Sequence, residues 1–230
     1  MSSVIDPEFG EITVRRTAGA RYVRIRVAPN GRLKASLPMY APLYMVKRLL
    51  KTSRGEIRDL LREHRDDQVY TPGMQIGKSH TLLLGHPSGT TNVTKDGLQI
   101  SIHLAADDTV EDDATQALIR EKVIEALRRE AKSYLPKRLA QLAKQHSYRY
   151  DRVRFSHAGS RWGSCSTSGT ISLNIALMKL PFELIEYVLV HELAHTIEMN
   201  HSQAFWQRVE AADPHYLAHR RALKSHTTAL

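Results

Sequence analysis

The chain has 230 residues, 42% hydrophobic and 25% charged, which is ordinary for a soluble globular protein and enough for a substantial core in one large or two small domains. No apolar run approaches the ~20 residues that a bilayer-spanning helix needs, and the lone Cys165 excludes an internal disulfide and a cysteine-rich zinc site. Lys and Arg number 33 against 24 Asp and Glu, leaving +9; this favours acidic partners, nucleic acid included, although a basic surface with no dedicated partner is the simpler account. Met1-Ser2-Ser3-Val4-Ile5-Asp6-Pro7 shows no basic segment followed by an apolar stretch, so with one cysteine a cytoplasmic location is expected.

From about Glu11 to Leu37 the pattern is that of strands. Val23, Ile25 and Val27 alternate with Arg24 and Arg26, and Pro29-Asn30-Gly31 marks a turn into Leu33–Leu37, predicting a hairpin. Arg15, Arg16, Arg21, Arg24, Arg26 and Arg32 make this region basic. Aromatic stacking residues are scarce there, which favours a solvated sheet face over a nucleic-acid platform. Tyr44 to about His64 is predicted helical, in two pieces meeting near Ser53-Arg54-Gly55, with Leu43, Val46, Leu49, Leu50, Ile57, Leu60 and Leu61 as its apolar stripe.

After the turn Tyr70-Thr71-Pro72-Gly73 come short strand candidates at Met74–Ile76, His80–Leu84, Asn92–Thr94 and Leu98–Leu104. His80, His86 and His103 lie among them without ligand spacing. The acidic cluster Asp107–Asp113 is an expected linker that caps the next helix, and the domain boundary is placed there. Ala114–Tyr134 is predicted helical; Pro136 is expected to kink or restart the helix, with Leu139 and Leu142 carrying the stripe to His146.

Arg152–Ser156 forms a short strand. A hairpin follows, in which Arg161–Ser166 turns at Thr167-Ser168-Gly169 into Thr170-Ile171-Ser172-Leu173-Asn174. An edge strand at Ile171, Ser172, Leu173 and Asn174 offers main-chain hydrogen bonds to an extended peptide; a purely structural hairpin, with Trp162 filling the core, is the alternative. Beyond residue 201, Ser202 caps a helix over Gln203–Ala212 anchored by Phe205, Trp206 and Val209. Asp213-Pro214 ends it, a last helix runs from about His215 to Lys224, and the tail Ser225–Leu230 has little to hold it in place.

The stretch with chemistry is Pro181–His201. It contains His191-Glu192-Leu193-Ala194-His195, with His201 six residues on. Pro181, Glu183 and Glu186 suit a helix start, and Leu184, Ile185, Val188 and Leu189 recur at core spacing. Histidines four apart lie a turn apart on one helix face, so both can reach one ion. Glu192 sits about 100° around the helix, beside the ion rather than on it. Three nitrogens plus an open position is the pattern of catalytic zinc, with Glu192 as general base. The six-residue step demands a sharp turn at Met199-Asn200, and the longer Gly-containing metzincin pattern is absent. Donors towards a tetrahedral intermediate could be Arg161, His157, Tyr216 or His219, of which Arg161 and Tyr216 are preferred. Cys165 as a nucleophile would leave the paired histidines unexplained.

R-W-G-S-C-S (Arg161–Ser166), I-S-L-N (Ile171–Asn174), P-F-E-L-I-E-Y-V-L-V-H-E-L-A-H (Pro181–His195) and N-H-S-Q-A-F-W (Asn200–Trp206) together resemble the YgjP-like metallopeptidase family. These are bacterial proteins related to SprT-like and WLM-type metallopeptidases and to minimal gluzincins. The resemblance is tight from about Phe155 to Leu223 and looser through the N-terminal half, around Gly73 and Gly85. It implies zinc at His191, His195 and His201, a catalytic Glu192, and a compact zincin domain with an edge strand near Thr170–Asn174. Ser156-His157-Ala158-Gly159-Ser160 replaces a more basic lead-in, so no role is carried over for that loop.

The expected fold is α+β, with a zincin-like domain at 109–230 (helices plus a small edge sheet) preceded by a β-rich region with a helical segment at 1–108. The expected function is zinc-dependent hydrolysis of peptide bonds. The alternative is a nucleic-acid-associated protein, or a protease acting on DNA-bound proteins. No membrane partner is expected, and the oligomeric state is left open.

Overall fold

The computed structural model describes residues 2–28, 33–65, 69–159 and 161–230, with the backbone alone at 62–65. It is a mixed structure with six α-helices and three small sheets among the described residues, consistent with an α+β class. The chain divides into two compact units, Met1–Val69 and Tyr70–Leu230.

The first unit is a four-stranded sheet with two helices. Strands β1 (Ser2–Asp6), β2 (Gly10–Thr17), β3 (Arg24–Val27) and β4 (Leu33–Pro38) lie in the order β1-β2-β4-β3. The expected β3–β4 hairpin pairs antiparallel, while β2 and β4 run parallel. Its turn at Pro29-Asn30-Gly31, and Arg32, lie outside the described residues. Strict alternation gives the sheet one apolar face. On it Val4, Ile12, Val14, Leu33, Ala35 and Leu37 pack with Val46 and Leu50 of α1 (Tyr44–Thr52) and Ile57 of α2 (Arg54–Arg65). Ser53 divides the helices where expected, its N–H donating back to Leu49 O. Arg54 pairs with Asp6 and Glu8, and Arg58 with Glu8. Arg16 instead clamps the loop after β4, donating to Met39 O and Ala41 O.

The second unit holds β5 (Gln75–Ile76), β6 (His80–Leu84), β7 (Asn92–Asp96) and β8 (Gln99–His103), in the order β5-β6-β8-β7, followed by α3 (Asp113–Gln145). Leu82, Val93, Ile100 and Ile102 of this sheet share one core with Ile119, Val123 and Leu127 of α3. The acidic stretch 107–113, where the boundary was expected, therefore lies inside the second unit; burying the apolar sheet face against α3 outweighs the linker-like composition. Pro136 does not end α3, which runs through it as one helix of 33 residues.

Beyond α3 come β9 (Arg152–Ser156), β10 (Gly163–Cys165), β11 (Thr170–Asn174), a 3-10 turn at Ile175–Lys179, α4 (Phe182–Ala194), α5 (Gln203–Ala212) and α6 (Tyr216–Leu223). The third sheet has the order β10-β11-β9, with β10–β11 antiparallel and β11–β9 parallel. Ile171, Ser172, Leu173 and Asn174 are thus on the central strand, not an edge, because β9 pairs with it from the far side. The sheet's outer strands are β10 and β9. The tail is also held more firmly than expected. Leu230 and Thr228 are buried, Arg120 donates to Leu230 O at 2.8 Å and Lys179 to Ala229 O at 2.7 Å.

Candidate metal centre

Helix α4 is apolar nearly all round. Leu184, Ile185, Tyr187, Val188, Leu189, Val190, Leu193 and Ala194 are all buried, so it runs through the core rather than over it. Pro181 stands at its N-cap, and Leu184 and Ile185 donate to the Pro181 carbonyl. Polar groups on such a helix lose hydration, and only His191, Glu192 and, at the C-cap, His195 accept that cost at its end.

The chain then turns through Thr196–Glu198 with N–H donations to Leu193 O and Ala194 O. This brings His201 back, just ahead of α5, where Ser202 caps Phe205 N as expected. His191 Nε2 and His201 Nε2 stand 3.2 Å apart, and each of the three histidines offers a nitrogen within 4.8 Å of the others.

The ring tautomer at residue 195 is fixed by its partner. A carbonyl only accepts, so His195 Nδ1 carries the proton that it donates to Glu198 O at 3.0 Å. Its Nε2 lone pair is left for a ligand. Burial first, then His195, His201 and Arg220, push His191 down to about 3. Burial, then His195 and Arg220, lower His201. Neutral imidazoles are what an ion requires as ligands.

A tetrahedral site with bonds of 2.0–2.1 Å sets neighbouring nitrogens about 3.4 Å apart, close to the 3.2 Å observed between His191 and His201. Three imidazoles with no thiolate form a donor set suited to zinc and other first-row ions. The residues fit a metal.

Phe205, fully buried, contacts all three rings at centroid distances of 4.9, 4.5 and 4.8 Å. It forms an apolar floor that leaves the imidazoles few rotamers. Trp206 stacks on His201 at 5.6 Å, Tyr216 stacks on Trp206 at 5.5 Å, and the Arg220 guanidinium lies 4.5 Å over Trp206. Tyr216 is therefore two aromatic layers away from His201. His219 packs on Tyr187 and pairs with Asp213 Oδ2 at 2.8 Å. His157 is half-buried on the loop after β9, and Ser160 of that loop lies outside the described residues.

Glu192 is 5% exposed and its Oε2 has no hydrogen-bond partner among the described residues. Burial pushes its carboxyl up to about 8, against the pull of Arg161. Arg161 is exposed, yet its charge reaches the carboxylate. Asn174, fully buried, holds the loop that carries Arg161, donating to Ala158 O at 2.7 Å and Arg161 O at 2.9 Å. Its Oδ1 accepts from Ala176 N and caps the 3-10 turn, so the side chain is used up in structure.

Sequence reasoning missed two neighbours of the site. Arg220 showed no signal, since its place depends on α6 folding against α4. Gly163 did carry one, in a glycine flanked by Trp162 and Ser164 on a strand, where glycine normally weakens pairing.

A family model described as YgjP-like, metallopeptidase domain, matches residues 21–226. No curated protein matches the chain. Among solved structures, the crystal structure of the metallopeptidase zymogen of Pyrococcus abyssi abylysin is 28% identical, with a TM-score of 0.36, covering 39% of this chain and 92% of that one. The family match spans almost the whole chain, from just before β3 of the first unit to just past α6, the histidine-bearing helix included, and on it the chain belongs to the YgjP-like metallopeptidase family.

Proposed function

We propose that this metallopeptidase is zinc-dependent, that His191, His195 and His201 hold the ion, and that Glu192 is the general base. One observation carries the reading: three imidazoles cluster within reach of one ion, next in the chain to buried Glu192, whose Oε2 has no hydrogen-bond partner among the described residues. When bound, zinc supplies Lewis acidity, polarising the scissile carbonyl and lowering the pKa of a water in its open position to about 7. Glu192 Oε2 takes a proton from the attacking water as the oxygen adds to the carbonyl carbon. The same oxygen then gives that proton to the amide nitrogen as the C–N bond breaks. Arg161 pulls the Glu192 carboxyl towards its ionised form, against the burial that raises it. A second positive charge beside that carboxyl favours its ionised form further.

We assign this chemistry to a zincin-like arrangement within the second compact unit, Tyr70–Leu230, with extended peptide as substrate. Of the strands reachable from the site, outer β10 suits peptide pairing better than central β11, and Arg161, preceding β10, is the preferred charge stabiliser over Tyr216. No helix among the described residues is long and apolar enough to cross a membrane, and the free Cys165 suits a reducing cytoplasm. Elemental analysis of the purified protein should find about one zinc per chain. A peptide-library digest should show cleavage that chelation and Glu192→Gln both abolish, with zinc retained in the variant. Cleavage indifferent to Glu192→Gln would sink the reading.

A second reading, association with nucleic acid, is favoured by the outer face of the first sheet. Thr13, Lys34 and Arg26 form one cross-strand row and Arg15, Ser36 and Arg24 the next. The four cations are exposed, and none has an ion-pair partner among the described residues, whereas Arg54 and Arg58 take up Asp6 and Glu8. Such a row array suits a phosphate backbone. Duplex binding through four contacts should show a slope of log K on log salt near about −3.6. Absence of binding at low salt removes this reading.

A further inference from the structure

Gly163, the first residue of β10, is paired with Leu173 and has a φ outside the left-handed region that favours glycine. Its backbone would accept any L-residue. What it lacks room for is a side chain. A Cβ there would lie 2.6 Å from Glu192 Oε1, 2.7 Å from Cγ and 2.8 Å from Cδ. Ordinary van der Waals contact begins near 3.4 Å, and Glu192 is nine-tenths buried, so its inner atoms cannot simply swing into solvent.

We infer that Gly163 is a positioning residue, and that the missing side chain on β10 is the seat of the Glu192 carboxylate. This rests on the reading of Glu192 as general base. The strand fixes where that carboxylate stands relative to the three histidines, none of which Gly163 is shown to touch. A methyl at 163 forces Oε1 to retreat by about 0.8 Å, the gap between 2.6 and 3.4 Å. A misplacement of about 1 Å costs on the order of 100-fold in rate.

The test combines turnover with a stability cycle on metal-free protein. Gly163→Ala should lower kcat about 100-fold, leave KM and zinc content unchanged, and lower Tm by roughly 5 °C. In a Glu192→Ala background, where Cγ, Cδ and Oε1 are all gone, the same substitution should cost no Tm. In Glu192→Gln, which keeps the shape, it should cost the full amount. Should Gly163→Ala fail to fold except in the Glu192→Ala background, that result supports the inference equally. Equal Tm losses in all three backgrounds, or wild-type kcat in Gly163→Ala, overturn it. Activity surviving Glu192→Gln would instead defeat the base assignment, and the stability cycle would stand apart from it.

Discussion

Two glutamates, half-buried Glu130 on α3 and buried Glu192 on α4, make opposite use of their surroundings. Glu130 is met by Ser79 Oγ at 2.6 Å, Ser79 N at 3.0 Å, Lys78 N at 2.7 Å and His80 Nδ1 at 2.7 Å. Burial alone would raise its pKa, but these donors outweigh it and hold the carboxyl below its ordinary range. Glu192, more deeply buried, has an oxygen with no hydrogen-bond partner among the described residues and is raised to about 8. Each lies against a glycine that leaves space for it. Gly77 adopts φ +63 with Glu130 Cδ 2.8 Å from where its Cβ would be, while Gly163 meets Glu192. A satisfied carboxylate ties a turn to a helix. An unsatisfied one is free to exchange a proton.

The contrast can be broken most forcefully at Glu192. Glu192→Gln should cut peptide cleavage by about 1000-fold while leaving Tm close to wild type, measured by digest and thermal melt; a large Tm loss would make Glu192 a second Glu130. Glu130→Ala should do the reverse. It removes the acceptor of four donors, one of them on buried His80, and should cost about 3 kcal/mol of stability in urea titration, with zinc content unchanged in the folded fraction.

The acid limb of stability sharpens the comparison further. Because the folded pKa of Glu130 is held below 4.5, its contribution is present above about 4.5 and is lost as pH falls through the folded value. Glu130→Gln should therefore flatten the stability profile below pH 4.5. The gentlest change is Ser79→Ala, which removes one of the four donors and should cost about 1.5 kcal/mol. A cost near zero would mean that the backbone N–H groups suffice.

The histidine cluster was legible in the sequence because its geometry is local. Residues 191 and 195 share a helix face by spacing alone, and Ser202 marks the restart that returns residue 201. The helices with sustained stripes were legible for the same reason. What escaped was set by pairing across long separations. β11 became a central strand only because β9 runs parallel beside it, in a register that joins Thr170 to Arg152. The expected boundary at 108/109 was displaced because Ile100 and Ile102 bury against α3, a contact that the polar run 107–113 hides. The tail looked loose since nothing nearby in sequence announces Arg120 and Lys179 as its anchors.

The hydrogen bond from His195 to Glu198 O has a genetic consequence. Where a ligand imidazole is oriented by a carboxylate side chain, one codon change removes the brace. Here the acceptor belongs to the main chain, so every residue type at position 198 still presents it. That hydrogen bond is lost by respooling the backbone, through an insertion, a deletion or a proline between Thr196 and Glu198, and not by exchanging the side chain at 198.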